Sequence, residues 1–197
     1  MKDKRHLNLI ILIEAGIFAA LAFTIALLPK GIGPIKAEIG MIPIIILSYR
    51  RGLKTGLTSG FLWGIIKIAT GKFTMLSVLQ VLVEYIFAYL VAGLSGIGSK
   101  NLKKSIQLNH WKNAFSTIAW SSFFAVFVKY FVHFIAGVIY WGIYAPEGMN
   151  AYFYSFIING GAGLATFIVV SLVVGFILYK SPRIIFPDVL LKTRTNA

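Results

Sequence analysis

Cysteine is missing from all 197 residues, so no disulfide, thiolate metal site or cysteine nucleophile can form. Acidic residues are also scarce, six against 19 lysines and arginines. Of the three histidines, His6 and His110 lie in polar flanks; His133 stands alone in an apolar segment, and one histidine cannot assemble a zinc site. Charged residues make up only 13% of the chain, about half the share in an ordinary soluble domain. In contrast, 58% of residues are apolar and the mean hydropathy is +0.82. A soluble fold of this size could not cover so much apolar surface with so little charge. Disorder is excluded too, since disordered chains are polar and poor in aromatics, whereas aromatics reach 15% here. The composition predicts a chain solvated by lipid.

A membrane-spanning helix needs about 20 apolar residues. Apolar runs fall at 7–28, 38–49, 53–70, 73–96, 114–141 and 152–180, separated by turn and charge signals such as Pro29-Lys30-Gly31, Arg50-Arg51-Gly52 and Pro146-Glu147-Gly148. The expected fold is all-α: a polytopic membrane protein of six transmembrane helices in a single integral membrane domain over 1–197. The second run is short and carries Pro43, which leaves its continuity open. Placing the N- and C-termini in the cytoplasm puts 14 of the 19 basic residues inside, among them Lys2, Lys4, Arg5, Arg50, Arg51, Lys54, Lys192 and Arg194. Only Lys30, Lys36 and Lys72 then fall in outer loops. The net charge of +13 is thus a topology signal and not a nucleic-acid footprint. The first run exceeds the roughly 7–15 residues of a signal-peptide core and ends in Leu27-Leu28-Pro29, so it is expected to be retained.

Helix three carries glycine at 52, 56, 60 and 64, a ladder suited to close helix packing in lipid. On helix one, Ala15, Ala19, Ala22 and Ala26 form a small-residue stripe that fits either another helix of this chain or a separate membrane protein. The ionisable groups within the spans are Glu14, Lys67, Glu84, Lys129 and His133, and such groups usually face a cavity or a partner. Lys129, His133, Gly137 and Trp141 are spaced by four and share one broad helix face. Ser77, Gln80 and Glu84 form a second polar stripe with Tyr85 beside it, and helix six opens with Tyr152 and Tyr154 and carries Asn159. Counting from the outer ends, Glu84, His133 and Asn159 lie roughly 11–18 Å deep. The inference is an outward-opening pocket lined by a carboxylate, aromatic faces and hydrogen-bonding groups, suited to a flat cationic molecule. Glu14 and Lys67 are read as snorkelling, and Glu38, nearer water, is left outside the site.

The stretch Lys129-Tyr130-Phe131-Val132-His133-Phe134-Ile135-Ala136-Gly137 with Tyr140-Trp141 resembles helix five of the ThiT family. These are the thiamine-specific substrate-binding (S) components of energy-coupling factor (ECF) transporters. Val83-Glu84-Tyr85, the Ala-x-x-x-Ala between Glu14 and Phe23, the Ser48-to-Leu53 junction and Asn159-Gly160 fit the same pattern. The resemblance implies a multi-pass protein of the bacterial cell membrane that binds thiamine on its outer side without a cofactor. Transport would require a transmembrane coupling protein and two ATPase subunits. It places Glu84, Tyr85, Lys129, His133, Gly137, Trp141, Tyr154 and Asn159 in the pocket, and Ala15 and Ala19 against the coupling protein. One departure is that the first outer loop, Lys30-Gly31-Ile32-Gly33-Pro34-Ile35-Lys36, lacks the aromatic lid residue that family members can place there. Phe73, in the next outer loop, is the candidate to compensate.

Two other functions compete: an S component for another cationic or neutral vitamin, and a proton-coupled secondary carrier of organic cations. No inverted repeat of the kind seen in many such carriers is evident. Catalysis is disfavoured, because the chain has no nucleophile-elbow spacing, no His-Glu-x-x-His and no phosphate-binding Gly-x-x-x-x-Gly-Lys loop.

Overall fold

The apolar runs fold as six helices in the computed structural model, which describes residues 2–28 and 36–187, with side chains from Leu7 onward. Lys30 and the loop through Ile35, the side chains of Lys2, Lys4 and Arg5, and the basic residues Lys192 and Arg194 lie outside the described residues. The helices are α1 (Lys2–Ala26), α2 (Met41–Arg51), α3 (Leu53–Ala69), α4 (Val78–Gln107), α5 (Trp111–Tyr140) and α6 (Ala151–Lys180). No strand occurs among the described residues. Four of the six, α1 and α4–α6, are long and apolar enough to cross a membrane by themselves.

The second crossing is built differently. Its helix starts at Met41 and not at 38, and its 11 residues rise about 16 Å, half of a hydrocarbon core of about 30 Å. Residues 36–40 supply the other half as non-helical chain. Irregular backbone at membrane depth survives only where protein or a cavity satisfies it, and here it is satisfied. The Glu38 N–H donates to Thr166 Oγ1 at 2.9 Å, and the Ala37 and Glu38 carbonyls accept from Ile39 and Met41 at 3.1 Å. Pro43 sits in the first turn, where its missing N–H costs little. From Ile44 to Tyr49 every side chain of α2 is buried, so this short helix is the axis on which the others pack.

The glycine ladder is a packing seam. Gly52 turns the chain between α2 and α3 at φ +86°, a conformation that favours glycine. A Cβ at Gly60 would collide with the Tyr89 carbonyl and one at Gly64 with the Tyr85 carbonyl, so α3 lies directly on the backbone of α4. The alanine stripe of α1 also faces inward. Ala15 is 1% exposed, Ala19 and Ala22 are 0% exposed, and Ser59 of α3 donates to the Ala15 carbonyl at 2.8 Å. Ala15 and Ala19, expected against a partner, are therefore interior; the outward face of α1 carries Leu12, Ile13, Ile17 and Leu21.

Glu14 does not snorkel. It accepts from Arg51 Nε at 2.7 Å, from Arg51 Nη2 at 2.9 Å and from Arg50 Nη2 at 3.0 Å. Arg50 Nη1 reaches the Ile184 carbonyl at 2.7 Å, and Lys103 Nζ reaches the Arg50 carbonyl at the same distance. One carboxylate thus ties α1 to the end of α2, while Arg50 joins this end to α4 and the chain after α6. Removing one partner from a shielded ion pair costs about 3–5 kcal/mol, because the remaining charge is uncompensated. Glu14→Gln should accordingly lower the thermal midpoint of the detergent-solubilised chain by several degrees. An unchanged midpoint would show that the two arginines find equivalent solvation without it.

Candidate functional site

Two helical irregularities build the site. Within α4 the turn Leu82–Phe87 is π-helical, and within α6 so is Phe156–Gly160. A π-turn takes in an extra residue and re-aims the side chains around it, and such turns gather at functional sites. The first carries Glu84 and Tyr85; the second carries Asn159.

Glu84 is 7% exposed and surrounded by donors. Trp141 Nε1 bridges both of its oxygens at 3.2 and 3.1 Å, and Gln80, one turn earlier, donates from Nε2. His133 Nδ1 lies 3.6 Å from Oε1. Lys129 Nζ stands 3.1 Å from His133 Nε2; an ammonium only donates, so Nε2 accepts and the ring proton sits on Nδ1, facing Glu84. The Lys129 ammonium also lies 3.7 Å from the centroid of the Tyr89 ring, a cation–π geometry.

The cavity has two lobes. One, of about 200 Å³, runs between α5 and α6 and is lined by Gly137, Tyr154 and Ser155. The other, of about 260 Å³, is lined by Lys36, Glu38, Lys67, Tyr85, Tyr89 and Lys129. Glu84, His133, Trp141, Ile158 and Asn159 border both. All eight residues singled out from the sequence therefore line one or both of two adjoining spaces that share a wall. Gly137 is there for room: a Cβ would collide with Ser155 Oγ and reach 2.9 Å from Asn159 Nδ2. Those two are bonded to each other at 3.1 Å, and Ser155 donates to the Phe134 carbonyl at 2.8 Å.

A match to the family model described as thiamine transporter protein (Thia_YuaJ) runs over residues 12–186. The chain belongs to the thiamine transporter family. Thiamine transporter ThiT of Lacticaseibacillus paracasei is 35% identical over 186 residues, 92% of each chain. Thiamine transporter ThiT of Bacillus subtilis is 29% identical over 153 residues, 78% of this chain and 80% of the relative. A solved structure of ThiT from Listeria monocytogenes superposes with a TM-score of 0.84 at 33% identity, covering 90% of this chain and 98% of that one.

For this thiamine-transporter-family chain, sequence reasoning missed part of the wall. Glu38 and Lys67, set aside as peripheral, both border the second lobe, together with Lys36, Tyr89 and Tyr130. Lys67 does not snorkel away: its ammonium donates to Tyr89 Oη at 2.8 Å, and that hydroxyl donates on to Glu38 Oε2 at 3.3 Å. The available signal was the order Lys36-Ala37-Glu38 before a helix too short to span. Phe73 meets the Tyr85 ring edge-on, with centroids 5.7 Å apart, and buttresses the wall without lining either lobe. Gly137→Val should overpack the α5–α6 lobe and cost about 1–3 kcal/mol. Gly160→Ala, whose Cβ would meet only the Phe156 ring at 3.9 Å, should be neutral in the same thermal-unfolding assay. Equal effects at the two positions would contradict the packing described.

Proposed function

We propose that the chain is the substrate-binding component of an ECF-type transporter in the cell membrane, capturing thiamine for uptake as one integral membrane domain. The observation that carries this reading is Glu84, a shielded carboxylate fixed by Trp141, Gln80 and His133 in a cavity walled by aromatic rings. A cationic ring gains from that carboxylate in a low dielectric and from the flat faces beside it. The names of the relatives point to the same ligand. Among the cavity residues, Glu84 takes the role of counter-charge and Trp141 that of stacking surface. His133, Tyr154 and Asn159 offer hydrogen bonds to ring nitrogens, the amino group or the hydroxyl. Arg50, Arg51 and Lys103 cluster at the end of the bundle away from the cavity; with that end in the cytoplasm, the cavity opens outward.

The sequence has no phosphate-binding loop for ATP, so this reading assigns ATP hydrolysis to two partner ATPases acting through a coupling protein. The docking face on α1 is offset by one residue from the alanine pair considered first. Gly16 and Ala20 are four apart, about 100° around the helix from Ala15 and Ala19. A Cβ on Gly16 meets nothing within 4 Å, and Ala20 is exposed. Small residues let a second backbone approach closely within lipid.

Tryptophan fluorescence of the purified chain, titrated with thiamine and with riboflavin and biotin as controls, tests the ligand. Saturable quenching by thiamine alone supports the reading, and no response from a folded sample overturns it. Glu84→Gln should weaken thiamine binding by about a hundredfold, equivalent to roughly 2.7 kcal/mol; normal binding would make the carboxylate purely structural. Ala20→Trp should bind thiamine normally yet fail in uptake by cells containing the partner subunits. Uptake at the wild-type rate would remove this face from the interface.

A further inference from the structure

The end of the bundle opposite the cavity is strongly basic. Lys54, Lys100, Lys104, Lys112, Lys180 and Arg183 are all exposed there. Among the described residues the one carboxylate at this end is Glu14, which is engaged by Arg50 and Arg51. Aromatic rings organise part of this charge. The Trp111 ring meets the Tyr179 ring edge-on, with centroids 5.0 Å apart, and so holds the first turn of α5 against the last turn of α6. Lys112 follows Trp111 and Lys180 follows Tyr179, so the ring pair brings two lysine-bearing turns together. Asn109, in the left-handed region at φ +57°, accepts from Trp111 Nε1 at 2.8 Å, which fixes the polar edge of the indole at the turn before the helix. Phe115 closes the seam one turn deeper. Its ring centroid is 6.0 Å from that of Trp111 and 6.2 Å from that of Tyr179, while Phe115, Phe176 and Tyr179 all remain exposed.

We propose that the paired ends of α5 and α6 bind an anionic lipid, with Lys112, Lys180 and Arg183 taking the headgroup phosphate and Trp111, Phe115 and Tyr179 the first methylenes of its chains. Charge complementarity selects this occupant. With that end in the cytoplasm, as proposed above, it faces the leaflet whose anionic lipids attract juxtamembrane lysines and arginines. Tryptophan and tyrosine settle at the headgroup level, and lysine lays its alkyl stem in the apolar layer while its ammonium reaches the phosphates. An acidic protein surface would meet the charges and leave the rings beneath them without a partner. A lipid meets both, because its charge and its hydrocarbon belong to one molecule. The α1 face proposed for the coupling protein stands on a helix that packs on α2 and α3, so the two surfaces lie on different helices. The inference is independent of which ligand the cavity takes.

The test is native mass spectrometry of the purified full-length chain in a non-ionic detergent, with phosphatidylglycerol and phosphatidylcholine added in equal amounts. Both headgroups contain a phosphate, and only phosphatidylglycerol carries net negative charge. The wild-type chain should retain phosphatidylglycerol about tenfold more than phosphatidylcholine, the order expected for a few basic residues at a charged lipid surface. Lys112→Gln combined with Lys180→Gln should bring the two lipids near parity, whereas Lys112→Arg with Lys180→Arg should keep the preference. Lys54→Gln with Lys100→Gln removes the same charge from the same end and should leave the preference nearly unchanged. Equal retention of the two lipids by the wild-type chain overturns the proposal and leaves the basic end to an acidic protein partner. Equal losses in the two glutamine pairs overturn it as well, since the preference would then belong to the whole rim. Should the Lys112/Lys180 pair fail to fold, Lys180→Gln alone should cost about threefold of the preference, and no loss there overturns the proposal equally.

Discussion

Within a bilayer the main chain has no water to bond to, and every departure from α-helix must find its partners inside the protein. This constraint governs where the chain is irregular. The non-helical residues 36–40, the π-turn at Leu82–Phe87 and the π-turn at Phe156–Gly160 all carry residues that border the same cavity. At residues 36–40 Thr166 accepts from the freed Glu38 N–H; at the π-turns the side chains are held in place, Glu84 by Gln80 and Asn159 by Ser155, which donates to the Phe134 carbonyl. A fourth departure, the 3₁₀ run Val91–Gly98 within α4, serves packing instead, with Gly93 and Gly96 against the start of α3; the other three shape the cavity wall.

Polar groups in lipid follow a parallel rule, since an ionisable side chain there needs company. The protein separates its charges into two groups with different work. At one end, Glu14 and two arginines form a closed ion-pair cluster that joins the first two helices. At the other, Glu84, Glu38 and three lysines surround a space large enough for a small molecule. The first group is closed on itself, whereas the second, though bonded through Tyr89 and His133, also borders a cavity.

Much of this could be read from the residues. The stripe Lys129, His133, Gly137 and Trp141 repeats at helical spacing, and so identifies both a helix and its polar face. Gly56, Gly60 and Gly64 likewise announce a close helix contact, though not that its partner is α4. Periodicity fails where two neighbouring stripes are equally small. The pairs Ala15/Ala19 and Gly16/Ala20 look alike on paper, and only the packing of α3 shows which one points inward. It fails again where the chain leaves the helix. Lys36 and Glu38 have no period to belong to, and Lys67 is held at the site by groups on other elements, among them the Tyr89 hydroxyl of α4. The π-turns have no sequence signature, so the residues placed Glu84 and Asn159 in the pocket without showing the local backbone that presents them there.

The two lobes meet at Glu84, His133 and Trp141, yet their outer walls come from different parts of the chain. One draws on the end of α5 and the start of α6; the other on residues 36–38, α3 and α4, with Lys129 and Tyr130 of α5 and Ala162 of α6. Lys36, Glu38 and Lys67 thus stand on elements that contribute nothing to the first wall, and substitutions at these three leave its own residues in place. Selection can therefore act on one wall without first disturbing the other, and descendants of one ancestral chain are free to alter the two spaces separately.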